Sequence, residues 1–374
     1  MRISIVYAKP GMKLAENVYK SRKVLLRAGT VLTPATINAL KKRGILEIEV
    51  ESEWDMQALA GGSQEVDIIS EEIRLKAEQT IKDIWEEVRK GGRIHIARVK
   101  STVETILEEL SKRNYTFLKL ADIRALDNYT FTHSVNVCVL ALSLGIASGY
   151  TEAELLELGT GALLHDLGKV IIPGDVLNKP GPLNEEEIEI VRKHPAHGFH
   201  LLCQEPEIGI NAALIPYEHH ERYQGDGYPR GLRGDAIHKF AQLVAIADVY
   251  DSLTSDRSYR SKLKPYEAVE ILIAMSGQGF NPKLVNLLLD NVEIYPVGCI
   301  VELNDGSLAV VTSVNKMLPI RPKVRKLVRH GESYVPSGDE MDLMENPTVF
   351  ITRVISLNWM SRGGAGSQRE DKAL

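Results

Sequence analysis

The sequence has little of what marks secreted proteins and membrane proteins. Its 374 residues include three cysteines, which are widely spaced, and two of them lie inside apolar helical segments. We interpret Cys138, Cys203 and Cys299 as free thiols in a reducing compartment. No apolar run approaches the ~20 residues of a membrane span. Lys9-Pro10 interrupts the N-terminal segment too early for it to form the apolar region of a signal peptide. These absences predict a cytoplasmic protein with no membrane span.

A basic excess is also absent. The formal net charge is -5, whereas nucleic-acid-binding proteins usually carry surplus positive charge. A nucleic-acid polymer is therefore not an expected partner. The hydrophobic content of 44% and the charged content of 25% are those of an ordinary globular protein. Because a chain of this length is too long for one small core, it predicts two or three domains.

Hydrophobic periodicity changes along the chain. Alternation at Ile3 and Ile5 indicates a strand, and Asn304-Asp305-Gly306 indicates a tight turn between two strands. We predict a multidomain, mainly α protein, in which a central all-helical domain is flanked by a small N-terminal α/β module and a small C-terminal β module. The predicted segments are the α/β module at 1–55, helical linker or signalling helices at 64–114, the helical domain at 115–291, a β-barrel or sheet module at 293–357, and a disordered tail at 358–374.

The segment from Asp67 to Lys90 carries apolar residues at helical spacing among many charged ones. Two interpretations of this stripe are open. The helix could pair with a second copy of the chain as a signalling or dimerising helix, or it could pack on its own chain. No receiver, kinase or membrane sensor is visible in the sequence. An input signal would therefore come through residues 1–114, the C-terminal module or an upstream signalling protein.

Histidine is concentrated in one part of the chain. Seven of the ten histidines lie between His133 and His220, and His165 is followed directly by Asp166. Neutral imidazole is the commonest protein metal ligand, and carboxylates complete mixed nitrogen and oxygen sites for iron, manganese or zinc. Asp248 lies in an otherwise apolar helix, where a carboxylate needs a metal or a cationic partner. The pattern His … His-Asp … Asp therefore predicts a metal centre.

These residues belong to a longer series of ordered motifs. The series consists of Tyr129–Val137, His165-Asp166-Leu167-Gly168-Lys169, His194-Pro195, His219-His220-Glu221, Gly227-Tyr228-Pro229, and Asp248 to Asp251 leading into Arg257 and Arg260. The pattern resembles the HD superfamily of metal-dependent phosphohydrolases. In its fuller form it resembles the HD-GYP branch, which hydrolyses cyclic di-GMP. The resemblance covers roughly residues 115 to 290, about half of the chain.

The resemblance implies a binuclear metal centre. All seven ligand positions of the family are filled here, by His133, His165, Asp166 and Asp248 for the first ion and by His194, His219 and His220 for the second, with Asp166 bridging. Family members that bind a third ion carry a glutamate four residues before the first histidine, where this chain has Tyr129. Ligation by imidazole and carboxylate without cysteine suits iron or manganese. We therefore expect two divalent ions of one of these metals.

The implied reaction is hydrolysis of cyclic di-GMP to linear pGpG, and the resemblance leaves open whether pGpG or GMP is the end product. Two metals that share a water lower its pKa, so that a bridging hydroxide attacks the phosphorus. In addition to the ligand Asp166, Lys169 would stabilise the developing charge or assist the leaving oxygen. Glycine allows close approach, a tyrosine ring can stack on guanine, and guanidinium groups suit phosphate or guanine. Substrate contacts are therefore expected from Lys169, Gly227, Tyr228, Pro229, Arg257 and Arg260.

Two positions depart from the family pattern. Gln224 stands where the loop usually has aspartate, and Gln242 stands where arginine is common. Two other functions are kept as alternatives: a non-catalytic sensor of cyclic di-GMP, and an HD-type phosphohydrolase acting on another cyclic dinucleotide or a nucleotide. The complete ligand set and Lys169 favour an enzyme over a sensor, and the Gly-Tyr-Pro loop argues against a mononucleotide substrate.

Overall fold

The computed structural model describes residues 2–5, 8, 10–20, 23–45, 47–49, 68–112, 129–255, 263–292, 294–315, 318–330 and 333–355. These residues fall into two compact units. One lies within 65–295 and includes residues of 315–320, and the other comprises described residues of 1–64, 296–314 and 321–374. All seven predicted metal ligands belong to the first unit.

The N-terminal module combines short strands with one helix, as predicted. Thr33 caps the helix, because its side chain accepts a hydrogen bond from the Thr36 backbone N–H, and Pro34 suits the first helical position. Leu14 and Leu32 are buried in a small core beside the helix. The elements are β1 (Arg2–Ser4), which pairs antiparallel with β4 (Glu47–Glu49), the hairpin of β2 (Val18–Lys20) and β3 (Lys23–Leu26), and helix α1 (Pro34–Lys42).

The larger unit is helical, which confirms the predicted central helical domain. Short 3-10 turns cover Leu167–Ile171 and Gly234–Ala236. None of the helices in the described ranges is both long and apolar enough to cross a membrane. The helices are α2 (Glu71–Arg89), α3 (Ile96–Lys112), α4 (Tyr129–Ala147), α5 (Glu152–Leu163), α6 (Gly174–Leu177), α7 (Glu185–Val191), α8 (His194–Cys203), α9 (Ile210–Glu218), α10 (Lys239–Thr254), α11 (Pro265–Ala274) and α12 (Pro282–Asn291).

Helices α2 and α3 share one hydrophobic core with the helices that follow them. The apolar stripe of α2 places Ala77, Ile81 and Ile84 in that core, where they are fully buried. Of the two interpretations that the sequence left open for this stripe, packing on its own chain is the one that the structure shows. The connection between α2 and α3 is also held, because the Glu205 carboxylate accepts a hydrogen bond of 3.0 Å from the Ile94 backbone N–H.

The C-terminal module is a small antiparallel sheet. Gly306 adopts a positive φ of 78° in the predicted turn between the first two strands. The two strands predicted on either side of this turn are present, and the described residues of the module form four further strands. The predicted tail at 358–374 lies outside the described residues. The strands run in the order β10 (Ile351–Ile355), β5 (Ile300–Leu303), β6 (Leu308–Ser313), β7 (Lys323–His330) and β8 (Ser333–Pro336), and β9 (Met341–Asp342) also pairs with β7.

Candidate metal centre

The helical unit brings all seven predicted ligands to one place. His165 and Asp166 follow the end of α5, and His219 and His220 follow the end of α9. The other three are His133 on α4, His194 as the first residue of α8, and Asp248 on α10. Five of the seven are buried, and His220 and Asp248 are partly exposed. The bonding of these side chains to an ion stays a prediction, but their convergence is a feature of the fold.

The first group of donors surrounds the end of α5. One potential donor atom from each of His133, His165 and Asp166 lies within 4.8 Å of the others. Asp248 reaches the same place from α10, since its Oδ1 lies 3.1 Å from Nε2 of His133. The four residues assigned to the first ion therefore adjoin one another.

The second group consists of three imidazoles. Donor atoms of His194, His219 and His220 also lie within 4.8 Å of one another. Asp166 stands between the two groups, with Oδ2 at 3.5 Å from Nε2 of His165 and Oδ1 at 3.5 Å from Nε2 of His194. One carboxylate thus presents one oxygen towards each group, the arrangement that a bridging ligand requires.

Helix ends orient three of the imidazoles. The last turn of a helix leaves carbonyl groups without a partner inside the helix. His165 Nδ1 lies 2.8 Å from the Ala162 carbonyl oxygen and can donate to it. His194 and His219 make the same contact with the carbonyl oxygens of Val191 and Pro216, at 2.7 and 2.9 Å. A proton fixed on Nδ1 leaves the Nε2 lone pair facing the cluster, which is the state that binds a metal.

The electrostatics of the cluster also suit cation binding. Burial lowers the pKa of His194 to about 4 and that of His220 to about 3, so both imidazoles are neutral near neutral pH. Burial alone would raise the pKa of Asp166, but Lys169 and the surrounding imidazoles hold it well below its usual range. In the second group, neutral imidazoles beside the ionised Asp166 carboxylate form a mixed nitrogen and oxygen donor set that fits iron or manganese.

His133 has a different environment from the other histidines. Burial would lower its pKa, but the carboxylates of Asp248 and Asp251 outweigh that effect and raise the pKa to about 10. Nδ1 of His133 lies 2.6 Å from Oδ2 of Asp251, and Oδ1 of Asp251 accepts a 2.7 Å hydrogen bond from Asn136 Nδ2. Neither Asp251 nor Asn136 is among the predicted ligands or substrate contacts. Their spacing was a usable signal, because each lies three residues beyond a predicted ligand on the same helix face.

The loop with Gly227, Tyr228 and Pro229 lies against the second group. The Tyr228 ring stacks on His220, with ring centroids 4.8 Å apart and an angle of 24° between the planes. A Cβ atom on residue 227 would lie 2.3 Å from the Arg222 backbone nitrogen, so glycine is required by this close approach.

Two buried glutamates, Glu218 and Glu221, hold the same loop. The Glu221 carboxylate accepts hydrogen bonds from the backbone N–H groups of Arg230 and Leu232, at 2.7 and 2.9 Å. Glu218 accepts from the His238 backbone N–H at 2.6 Å and pairs with the Arg230 guanidinium. Glu218 directly precedes the histidine pair and Glu221 directly follows it. The residues that hold the loop are therefore neighbours in sequence of two predicted metal ligands.

The remaining predicted site residues divide into two sets. Lys169 lies at the centre, since its Nζ is 2.5 Å from Oδ2 of Asp166 and a quarter of its side chain is exposed. Arg257 and Arg260 lie outside the described residues, so their predicted substrate contacts stay predictions. Of the two departures from the family pattern, Gln224 is exposed, whereas the Gln242 side chain donates to the Ile237 carbonyl oxygen at 2.9 Å.

Comparison with known families supports the motif analysis. The profile of the HD domain family matches residues 104–284, which include all seven donors. The profile of a KOW domain associated with HD domain matches residues 300–362, the region of the C-terminal sheet.

Three relatives with assigned activities resemble the chain. A cyclic di-GMP phosphodiesterase of Pseudomonas aeruginosa is 33% identical over 272 residues, covering 71% of this chain and 66% of that protein. The cyclic di-GMP phosphodiesterase response regulator RpfG of Xanthomonas campestris is 44% identical over 142 residues, or 38% of each chain. The 3'3'-cGAMP-specific phosphodiesterase 2 of Vibrio cholerae is 35% identical over 209 residues, covering 54% of this chain and 40% of that protein. The chain thus spans at most 66% of the length of these three relatives.

Proposed function

Since the chain belongs to the HD domain family, in its HD-GYP branch, we propose that it is a metal-dependent phosphodiesterase that hydrolyses cyclic di-GMP to pGpG, with GMP as a further product. The observation that carries the proposal is the pair of donor groups that share Asp166 beside the Gly-Tyr-Pro loop. The cytoplasmic location predicted from the sequence is part of the same proposal.

We propose that two divalent ions, iron or manganese, bind to this donor set. One ion would be held by the first group and Asp248, the other by the three imidazoles of the second group, with Asp166 common to both. When bound, two such ions lower the pKa of a water molecule and offset negative charge on phosphoryl oxygens.

The chain's own groups supply orientation and charge. Lys169 lies beside Asp166 with part of its side chain exposed, so its ammonium is placed to stabilise negative charge on a phosphoryl oxygen or to protonate the leaving 3' oxygen. Tyr228 is fixed against His220 and forms a wall next to the second group. Because Gly227 and the Glu221 carboxylate hold the loop backbone in place, a substrate base would meet a preformed surface.

A second cyclic dinucleotide is the main alternative substrate. The likeness to a 3'3'-cGAMP-specific phosphodiesterase of Vibrio cholerae favours testing it beside cyclic di-GMP. The other alternative is a sensor that binds cyclic di-GMP without turnover. The complete set of seven predicted donors, with Lys169 beside Asp166, argues against a sensor. A protein that only binds the dinucleotide would not need a buried cluster of metal ligands with an adjacent ammonium group.

The experiment that tests the proposal is turnover by anaerobically purified protein with Fe²⁺ or Mn²⁺, using cyclic di-GMP and 3'3'-cGAMP in parallel. The double variant His165→Ala/Asp166→Ala removes one ligand of the first group and the shared carboxylate. His200→Ala is the matched control, because this imidazole is exposed on the same helix as His194 and lies outside both donor groups.

Release of pGpG by the wild type and by His200→Ala, but not by the double variant, would support the proposal. Faster turnover of 3'3'-cGAMP than of cyclic di-GMP would make 3'3'-cGAMP the preferred substrate and would leave the proposed reaction class unchanged. Tight binding of cyclic di-GMP with no product in the presence of either metal would contradict the proposed phosphodiesterase and favour the sensor.

A further inference from the structure

A buried arginine on helix α2 is connected to the predicted metal ligand His133 through two intervening side chains. Arg74 is only 4% exposed. One guanidinium nitrogen, NH1, donates a 2.7 Å hydrogen bond to Oδ1 of Asn136 on α4. An arginine is seldom buried without a structural reason, because removing its charge from water is costly unless partners compensate. Arg74 therefore has a specific place in this fold.

The bond from Arg74 is the first in a series that ends on a predicted ligand. Asn136 Nδ2 donates to Oδ1 of Asp251 at 2.7 Å. Oδ2 of Asp251 lies 2.6 Å from Nδ1 of His133, whose Nε2 faces the first donor group. Ser255 adds a 3.1 Å hydrogen bond to the same carboxylate. Three bonds therefore connect the guanidinium of α2 to the His133 ring.

The chemistry of these groups gives the series a direction. A guanidinium only donates hydrogen bonds, whereas a side-chain amide has one accepting end and one donating end. With Arg74 on Oδ1 of Asn136, the amide must present its NH2 group to Asp251. A flipped amide would instead place its oxygen against the carboxylate, which is repulsive. Arg74 thus fixes the amide in the orientation that holds Asp251 against His133.

We propose that Arg74 is a positioning residue for the first metal ion, acting through Asn136 and Asp251 to hold His133 in its ligating orientation. This inference rests on the proposed function, because it concerns the same metal centre. It assigns to α2 a part in the site that neither the ligand motifs nor the extent of the HD profile indicates. Partners of this kind orient a ligand ring and fix which of its nitrogens carries the proton.

Other contacts hold α2 in register with α4. Glu78 accepts a 2.8 Å hydrogen bond from the Thr132 hydroxyl, one helical turn from the Arg74 contact on both helices. Trp85 packs edge-on against Phe131, with ring centroids 5.6 Å apart. Several side chains along α2 therefore contact the same stretch of α4. The packing of these two helices positions the Arg74 guanidinium beside Asn136.

The test is Mn²⁺ binding to the full chain in the absence of nucleotide, measured by calorimetry and by electron paramagnetic resonance of the bound ion. The variant Arg74→Met removes the donors and keeps an apolar stem. We expect Kd for one of the two ions to rise about 10-fold to 100-fold, the usual effect of removing a group that orients a ligand. The other ion, on the second group, is expected to keep its affinity. Glu78→Gln is the matched control, since it alters the neighbouring α2–α4 contact and leaves the Asn136 bond intact.

A double-mutant cycle separates positioning from general disruption. If Arg74 acts through Asn136, adding Arg74→Met to an Asn136→Ala chain should cause no further loss of affinity. Losses that multiply would contradict the series of bonds. Arg74→Lys keeps a positive donor near Asn136 and is expected to rescue part of the affinity. If circular dichroism shows that Arg74→Met does not fold, Arg74→Lys against Glu78→Gln gives the same comparison with a smaller expected loss.

The outcomes distinguish this inference from the proposed function. A wild-type chain that binds no Mn²⁺ contradicts the metal centre and the role of Arg74 together. A wild type that binds two ions, with Arg74→Met binding both as tightly as Glu78→Gln does, contradicts the role of Arg74 alone and leaves the proposed function standing. Selective weakening of one ion in Arg74→Met supports the inference.

Discussion

Gly168 lies so close to His194 that no other residue fits at position 168. A Cβ atom there would stand 2.0 Å from the His194 carbonyl oxygen and 2.5 Å from the Gly198 backbone nitrogen. The 3-10 turn after His165 and Asp166 therefore touches the first turn of α8 directly. This contact brings the carboxylate shared by the two donor groups next to a ligand of the second group.

Gly168→Ala should accordingly harm both stability and metal binding. The extra methyl group must push α8 away, which typically costs about 1–3 kcal/mol in the free energy of unfolding and occasionally more. Because the shift acts at His194, we expect weaker binding of an ion at the second group. Urea unfolding and Mn²⁺ titration would measure the two effects. Gly174→Ala is the control, since a Cβ there meets only Asn178 at 3.8 Å. Equal stability and metal binding in the two variants would contradict the close packing of position 168.

The two departures from the family pattern should respond differently to substitution. Gln224 is exposed, so we expect Gln224→Asp to change the free energy of unfolding by about 0.5 kcal/mol or less and to leave turnover nearly unchanged. Gln242 donates to Ile237 and accepts a 3.1 Å hydrogen bond from Asn281. Gln242→Ala should therefore destabilise the fold by about 1–3 kcal/mol. Steady-state kinetics and thermal unfolding of both variants would check this, and a large gain in turnover for Gln224→Asp would contradict it.

Metal removal should destabilise the helical unit. An ion that binds only the folded chain stabilises it by about 2.7 kcal/mol when its concentration is 100 times Kd. We expect chelator-treated protein to regain thermal stability when Mn²⁺ is added, in proportion to the logarithm of its concentration. The variant His165→Ala/Asp166→Ala should show a much smaller response, because it lacks two of the first group's donors. An equal response in the two proteins would place the stabilising ion elsewhere.

The thiols should differ sharply in reactivity. Burial raises the pKa of the Cys138 thiol well above its usual range, and this side chain lies fully inside the core. Because the thiolate is the reactive form, a maleimide at about pH 8 should leave Cys138 unmodified until the chain unfolds. Cys203 is exposed on α8 and should react in the native state. Mass spectrometry of peptides after timed labelling would show the order, with Cys203→Ser as the control for the fast site. Early modification of Cys138 would contradict the packing of α4.

The sequence made the ligands visible, whereas the groups that orient them left at most a local signal, the three-residue spacing of Asn136 and Asp251 from a predicted ligand. His165-Asp166 and His219-His220 are unusual pairs in apolar surroundings, so both could be identified from local sequence. Arg74 and Asn136 are 62 residues apart, and His133 and Asp251 are 118 apart. Such pairings arise only when helices pack, and each residue by itself is an ordinary polar side chain. The strand β9 could not be predicted for a different reason, because a strand of two residues is too short to show hydrophobic alternation.

Helices α2 and α3 share a core with the later helices. The folded unit therefore does not coincide with the region that the family profile matches. The HD profile begins at residue 104, inside α3, and ends at residue 284, inside α12. The stretch recognised across relatives is therefore shorter than the stretch that folds. A chain cut at residue 104 would divide α3 and uncover the core surface that Ile81 and Ile84 now cover. For gene fusion or recombination, a junction before residue 68 would leave this shared core whole.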